Sequence, residues 1–426
     1  MRSGRPAALL ALALAIATGR AEAQFTQYTP PGSFQVQRES TQDRLDQAMK
    51  QARWRLGRFY LDPWVGLRDV AYIDDAQTRS AGPEEPDFTA TVGAGIRLYR
   101  PLGSELTFTA HFLPEYVWWK DLTERRRTNG RYGAGLFGDL GRTGLELTAS
   151  RTEESRFFSR EVEERVNLQD EGIVAALEVS LGAGISLFAG GELRRFRTLD
   201  DGEEGVADLR RLDRDEDILR AGIRFNLGKG WEIGLGAERS EVDFESEAAD
   251  RPNAGTSPIL EIDYQGSLLF LGAALAYRDL QPEAGSRFVP YEEVTGRAWL
   301  GLRPSGRFEI QLYGSRNLVY SVDQRWVYFE ETGYGLGVHL RLRPSINVRL
   351  FVEQGTSDYV PFDNGAIDRR DDADTFGGDL EIRFHRRALL TLGASRSDHV
   401  SAFPGLDRSI TVIRSGFSFG GISPWG

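Results

Sequence analysis

Between Gly333 and Glu353 the sequence runs with a period of two. Tyr334, Leu336, Val338, Leu340 and Leu342 share one parity, and Gly335, Gly337, His339, Arg341 and Arg343 share the other. Successive side chains of a strand point to opposite faces, so the segment has one apolar and one polar face. Pro344-Ser345 interrupts it. Ile346, Val348, Leu350 and Val352 then resume the pattern against Asn347, Arg349 and Glu353. Two alternating runs around a tight turn make a β-hairpin. The same unit recurs along most of the 426 residues. Two architectures accept such an array: a soluble sandwich, which turns its charges outward, and a membrane barrel, which turns them inward.

Features outside the strands favour the barrel. Residues 1–23 have the form of a cleaved signal peptide: Arg2 and Arg5, an apolar run from Ala7 to Thr18, then Ala21-Glu22-Ala23 ahead of Gln24. The run is too short for a spanning helix, which needs about 20 apolar residues. Cysteine is absent, which excludes disulfides, thiolate metal sites and a lipid-modified N-terminus. Removing the first 23 residues takes the formal charge from −11 to −13, a poor balance for binding nucleic acid. Mean hydropathy is only −0.38. That does not argue for solubility, because a barrel strand crosses in about 9–11 alternating residues.

Connections alternate in length. Tight turns centre on residues 101–103, 140–142, 182–184, 228–230, 265–266, 304–306, 344–345 and 385–387, where Gly and Pro abound. Longer polar loops fall near 74–86, 120–130, 157–170, 199–214, 246–257, 280–288, 321–325, 357–373 and 399–406. The expectation is an all-β, up-and-down antiparallel transmembrane barrel of about 18 strands over 58–420, with short turns on the periplasmic rim and long loops outside. The split of 258–279 at Gln265-Gly266 is its least marked boundary. Residues 24–57 form a separate periplasmic segment, with a short helix from Ser40 to about Leu56 that is either a lid or a pore plug. Residues 421–426 are a tail.

The outward rows are apolar: Phe88, Ala90, Val92 and Ile96; Leu219, Ile223 and Phe225; Phe376, Leu380 and Ile382. The opposite parity is charged, with Arg97, Glu105, Glu192, Arg194, Arg220, Arg224, Glu261, Arg297, Glu309, His339, Arg341, Arg349, Asp379, Glu381 and Arg383. Charges near the bilayer midplane cost several kcal/mol when they face lipid, so these are expected to line the lumen. They would either bias which solutes pass or pair across strands to stiffen the wall. Tyr116, Trp118, Trp119, Trp231, Trp326 and Tyr328 lie near strand ends and are expected at the membrane interfaces.

Chemistry-bearing motifs are weak. Gly93/Gly95, Gly133/Gly135, Gly234/Gly236 and Gly333/Gly335/Gly337 sit within strands with no following helix, so they are small wall residues and not phosphate cradles. His111, His339, His385 and His399 lack metal-ligand spacing. A rim Ser–His pair using His111 or His399 is the only enzymatic option. Asp363, Asp368, Asp371, Asp372 and Asp374 lack the spacing of a Ca²⁺ loop and read as a solvated surface. No metal, cofactor or nucleic-acid partner is expected.

Residues 58–75, which run from Arg58-Phe-Tyr-Leu-Asp-Pro-Trp through Tyr72-Ile-Asp-Asp75, resemble the first strand of outer-membrane β-barrel porins found beside exopolysaccharide-export genes. That family places Asn where Asp75 stands. The chain also ends Gly420-Gly-Ile-Ser-Pro-Trp-Gly426, not on the aromatic residue usual for such barrels. The barrel reading implies outer-membrane lipid and the barrel-assembly machinery as partners, and the resemblance adds polysaccharide-export components. Three functions follow: a passive pore for small polar or saccharide solutes, a non-conducting accessory barrel in polysaccharide export, or a rim enzyme.

Overall fold

In the computed structural model the described residues are 32, 41–76, 85–162, 164–199, 209–246, 250–362, 368–403 and 406–420. The signal peptide, Ser40, Asp363 and the tail 421–426 lie outside them. Strands form where the period of two runs. They are β1 (Trp54–Leu56), β2 (Phe59–Ile73), β3 (Asp87–Pro101), β4 (Leu106–Trp119), β5 (Arg127–Asp139), β6 (Thr143–Phe157), β7 (Arg165–Gly182), β8 (Ile185–Thr198), β9 (Arg214–Gly228), β10 (Trp231–Phe244), β11 (Asn253–Gln265), β12 (Leu269–Pro282), β13 (Tyr291–Ser305), β14 (Phe308–Tyr320), β15 (Trp326–Arg343), β16 (Ile346–Pro361), β17 (Arg370–His385), β18 (Ala388–Ser401) and β19 (Arg408–Phe419).

Each of β2 to β19 pairs antiparallel with its neighbours in sequence, and β19 closes on β2 through Val412↔Ile73 to Phe419↔Val65. Eighteen strands thus form a ring with no free edge, and the boundary at Gln265-Gly266 holds. β1 is an extra strand. It pairs Trp54↔Leu61 with the start of β2 after a turn at Gly57, whose φ of 62° glycine tolerates. The helix, α1 (Thr41–Gln51), is therefore shorter than its periodicity suggested, because residues 54–56 pair with a strand.

The wall is apolar outside and polar inside. Leu312, Val352 and Phe376 are 54%, 54% and 51% exposed, while Gln311 and Thr375 beside them are 0% and 5% exposed. Such a surface suits acyl chains, with the polar row enclosed. The outward face turns charged toward the long-loop end. There Arg195 pairs with Asp215, Arg370 with Asp358 and Asp372, and Arg396 with Asp398. Strands of 12 to 18 residues exceed the roughly 9–11 that span hydrocarbon, so this end stands above it.

Leu350 sits mid-row on the outer face of β16 at 49% exposure. Leu350→Arg is expected to cost about 2–4 kcal/mol in denaturant unfolding from lipid vesicles, as lipid-facing Arg near a midplane does. Leu350→Ala should cost less. Equal stability of all three forms would contradict the outward assignment.

Candidate functional site

The inward charges pair with one another across strands. Arg224 on β9 reaches Glu178 of β7, Glu232 of β10 and Glu261 of β11 at 2.6, 3.2 and 2.9 Å. Arg194 meets Asp170 through Nε at 2.8 Å, and Arg220 lies 4.0 Å from Glu192 and 3.7 Å from Glu238. Arg349 and Arg414 share Asp379 at 3.4 and 2.8 Å, and Arg349 is 3.7 Å from Glu381. Arg303 binds Glu309 at 2.8 Å. Arg97 lies 3.6 Å from Asp62. Arg297 and His339 are half-buried on the inward parity of β13 and β15. Arg341 and Arg383 are exposed close to the short-turn rim. Glu105 is not a wall residue: it stands exposed in the turn between β3 and β4.

The aromatic expectation divides. Tyr116 and Trp118 are 42% and 38% exposed, and Trp231, 37% exposed, stacks on Tyr264 at 4.5 Å. Trp119, Trp326 and Tyr328 are buried, at 0%, 1% and 4%, and are not interface residues. Trp119 has the opposite parity to Trp118 and packs with Ile73, Leu122, Ile410 and Val412. Trp326 lies against Tyr359 and Phe403. Tyr328 is covered by residues 288–291: it packs on Phe288 and Tyr291 and donates its hydroxyl to the Pro290 carbonyl at 3.3 Å.

Ser401 donates its hydroxyl to Asp371, and His399 lies 3.5 Å from that same carboxylate. Both residues address one acid, and that is not a nucleophile–base pair. Asp371 is buried, while Asp372 alternates to the exposed face, so the acidic run does not converge.

The feature that sequence reasoning missed is the loop between β6 and β7, described at residues 158–162 and 164. Around an eighteen-strand ring, β7 and β16 stand nine strands apart, on opposite walls. Arg160 from this loop donates Nε to Glu331 Oε1 of β15 at 2.8 Å and Nη2 to Glu353 of β16. Glu161 accepts the Ser321 hydroxyl at 2.7 Å and the Val322 amide at 2.8 Å. Arg408 of β19 donates to the Arg160 and Glu161 carbonyls at 3.3 and 3.4 Å. The loop therefore crosses the full lumen. Gly355 makes room for it, because a Cβ there would run into the Arg160 guanidinium. Phe158 and Val162 anchor the crossing in an apolar cluster with Leu209 and Leu212 of one long loop, Phe288 of a second and Val322 of a third. The only sequence signal was Phe158 and Val162, two apolar residues in a loop otherwise polar.

α1 lies inside the short-turn mouth. Leu45, Ala48 and Met49 pack on Tyr99 and Phe137, inward residues near the ends of β3 and β5. Of the two sequence readings for this segment, lid or plug, the geometry places the helix within the ring.

The fold and its occupied lumen define an outer-membrane barrel of porin architecture. No protein-family model matches the sequence, and no curated protein is similar to it. Among solved structures, Pseudomonas aeruginosa OccK9 (OpdG) aligns with a TM-score of 0.53 at 14% identity, over 84% of this chain and 98% of that one. A BenF-like porin from Pseudomonas fluorescens Pf-5 aligns with a TM-score of 0.53 at 11% identity, over 86% and 99%. P. aeruginosa OccK2 (OpdF), solved in complex with glucuronate, aligns at 0.52 and 12% identity, over 84% and 98%. At such identities the likeness is one of fold.

Two outcomes follow. A double-mutant cycle on Arg160 and Glu353 should return a coupling of roughly 0.5–3 kcal/mol, and Arg160→Ala should raise single-channel conductance by freeing the crossing loop. Unchanged conductance would mean that the loop does not constrict the lumen. The second concerns Asp213, which accepts the Thr198 amide at 2.7 Å beside Leu209 and Leu212. Burial raises its carboxyl to about 6 from an ordinary 3.8. A raised carboxyl favours the docked loop in its neutral form, so docking is strongest below the unfolded value and weakens as pH climbs from about 4 to about 6. Hydrogen-exchange protection of residues 209–212, corrected for intrinsic rates, should fall across that window, and Asp213→Asn should flatten the trend.

Proposed function

We propose that this protein is a passive outer-membrane pore for small polar or saccharide solutes. The observation that carries this reading is the eighteen-strand ring with a charged inner wall and a loop anchored across its middle by Arg160. A ring of that size has room for an aqueous channel, and a crossing loop reduces it to a bore that sorts solutes by size. The paired wall charges present both signs, which suits hydroxylated or weakly charged solutes more than a strongly ion-selective path. The glucuronate complex of OccK2, a barrel of the same fold, supports solutes of monosaccharide size, sugar acids included. Nothing in the Ser401–Asp371–His399 geometry favours a rim enzyme.

A second reading keeps the barrel but gives it an accessory place in polysaccharide export, beside export components in the outer membrane. It rests on the likeness of residues 58–75 and draws support from α1 within the mouth.

The mature full-length chain in planar bilayers and in proteoliposomes tests the first reading. Discrete conductance steps are expected, with liposome swelling faster in glucose or glucuronate than in a tetrasaccharide. Absence of steps at every voltage, together with no swelling, both in the mature chain and in a form lacking residues 24–52, would overturn the pore in favour of the accessory barrel.

A further inference from the structure

Two parts of the chain that precede the barrel are fastened inside it. One is α1, whose Leu45 and Ala48 are 1% and 6% exposed against the inward rings of Tyr99 and Phe137. The carbonyl of Gln51 at the helix's C-terminal end accepts Arg387 Nη1 at 3.3 Å from the turn between β17 and β18, and Arg387 also pairs with Asp62. A cation suits that end of a helix. The other face of α1, with Gln42, Asp43, Gln47 and Lys50, is exposed.

The second fastening is Gly32. Its amide donates to Glu353 Oε2 at 3.1 Å, and the Tyr313 hydroxyl donates to the same oxygen at 2.9 Å. The remaining oxygen, Oε1, holds Arg160 of the crossing loop. β14 and β16, which carry Tyr313 and Glu353, stand five to nine strands round the ring from the helix dock on β3 and β5. One carboxylate therefore joins the wall, the constricting loop and the N-terminal segment. Gly32 is fitted to this place. Its φ is +74°, and a Cβ on it would enter the Phe351 ring. The ring of β2 to β19 is complete without either fastening. So Gly32 and α1 occupy a lumen that they do not help to build.

We propose that the mature N-terminal segment is a resident plug: α1 obstructs the short-turn mouth, and Gly32 latches the segment to the Arg160–Glu353 constriction. This rests on the pore reading, since a plug has meaning only where there is a channel to close. Release of the plug takes rupture of a three-residue apolar contact and a few hydrogen bonds, with no strand unpaired.

The test compares three refolded proteins in planar bilayers: the mature chain, a form lacking residues 24–52, and the full chain with Gly32→Val. The truncated form is expected to conduct severalfold more than the mature chain. Gly32→Val, which keeps the helix and removes the latch, should fall between them or raise the open probability. Equal, non-zero conductance in all three would overturn the plug and leave the pore. No conductance in any would overturn the pore and the plug with it. A labelling readout separates docking from conduction. The chain has no cysteine, so Tyr99→Cys supplies a single thiol under the helix. A bulky maleimide should label it slowly in the full chain and fast in the truncated form. Equal rates would mean that α1 does not sit on Tyr99, and the proposal would fail.

Discussion

A backbone amide or carbonyl in hydrocarbon finds no water, and leaving it unpaired costs several kcal/mol. Everything in this barrel answers to that requirement. The pairing of β19 with β2 removes the last open edge, so each of the eighteen strands has a neighbour on both sides. Once the ring is closed, the two-residue period leaves no choice of facing. One parity meets lipid, and the other is enclosed whatever its chemistry. Charge on the enclosed parity then has to be solvated or paired, and Arg224 with its three carboxylates shows the second solution. Such pairs gain little over water in raw stability. They do fix how strands slide past each other, because a one-residue slip would turn guanidinium and carboxylate alike into lipid.

The lumen is shaped by what enters it, more than by the wall. Arg160 reaches from one wall to the other and ends between two buried carboxylates on adjacent strands. Removing one partner from a buried charge pair costs more than forming the pair gains. The crossing is therefore held in one geometry while the apolar cluster around Phe158 and Val162 holds its ends. α1 sits apart from this crossing, in the short-turn mouth against β3 and β5, five to nine strands round the ring from Tyr313 and Glu353.

Much of this was legible in the sequence, and the reason is locality. Alternation and turn chemistry are properties of neighbouring residues, so the eighteen strands, the eight tight turns and the weakly marked break at Gln265-Gly266 could all be placed. The crossing loop could not. Arg160 meets partners 171 and 193 residues away, and no periodicity links them. Trp326 and Tyr328 went astray for a related reason: strand position sets which way a ring points, while loops folding back from elsewhere decide whether it stays exposed. α1 has only three apolar residues on one face, a pattern equally fit for a periplasmic surface or a lumen wall. Glu105 had the right parity but stood one residue before its strand begins.

The sidedness of the wall is tested most directly by spin-label accessibility along β17. With no native cysteine, one substitution per variant labels Phe376 through Arg383 in turn in lipid vesicles. With the apolar row in lipid, Phe376, Gly378, Leu380 and Ile382 are expected to collide with oxygen dissolved in the bilayer, while Gly377, Asp379, Glu381 and Arg383 collide with a water-soluble nickel complex, in strict alternation. The reverse phase, or accessibility to the aqueous reagent at every position, would contradict it.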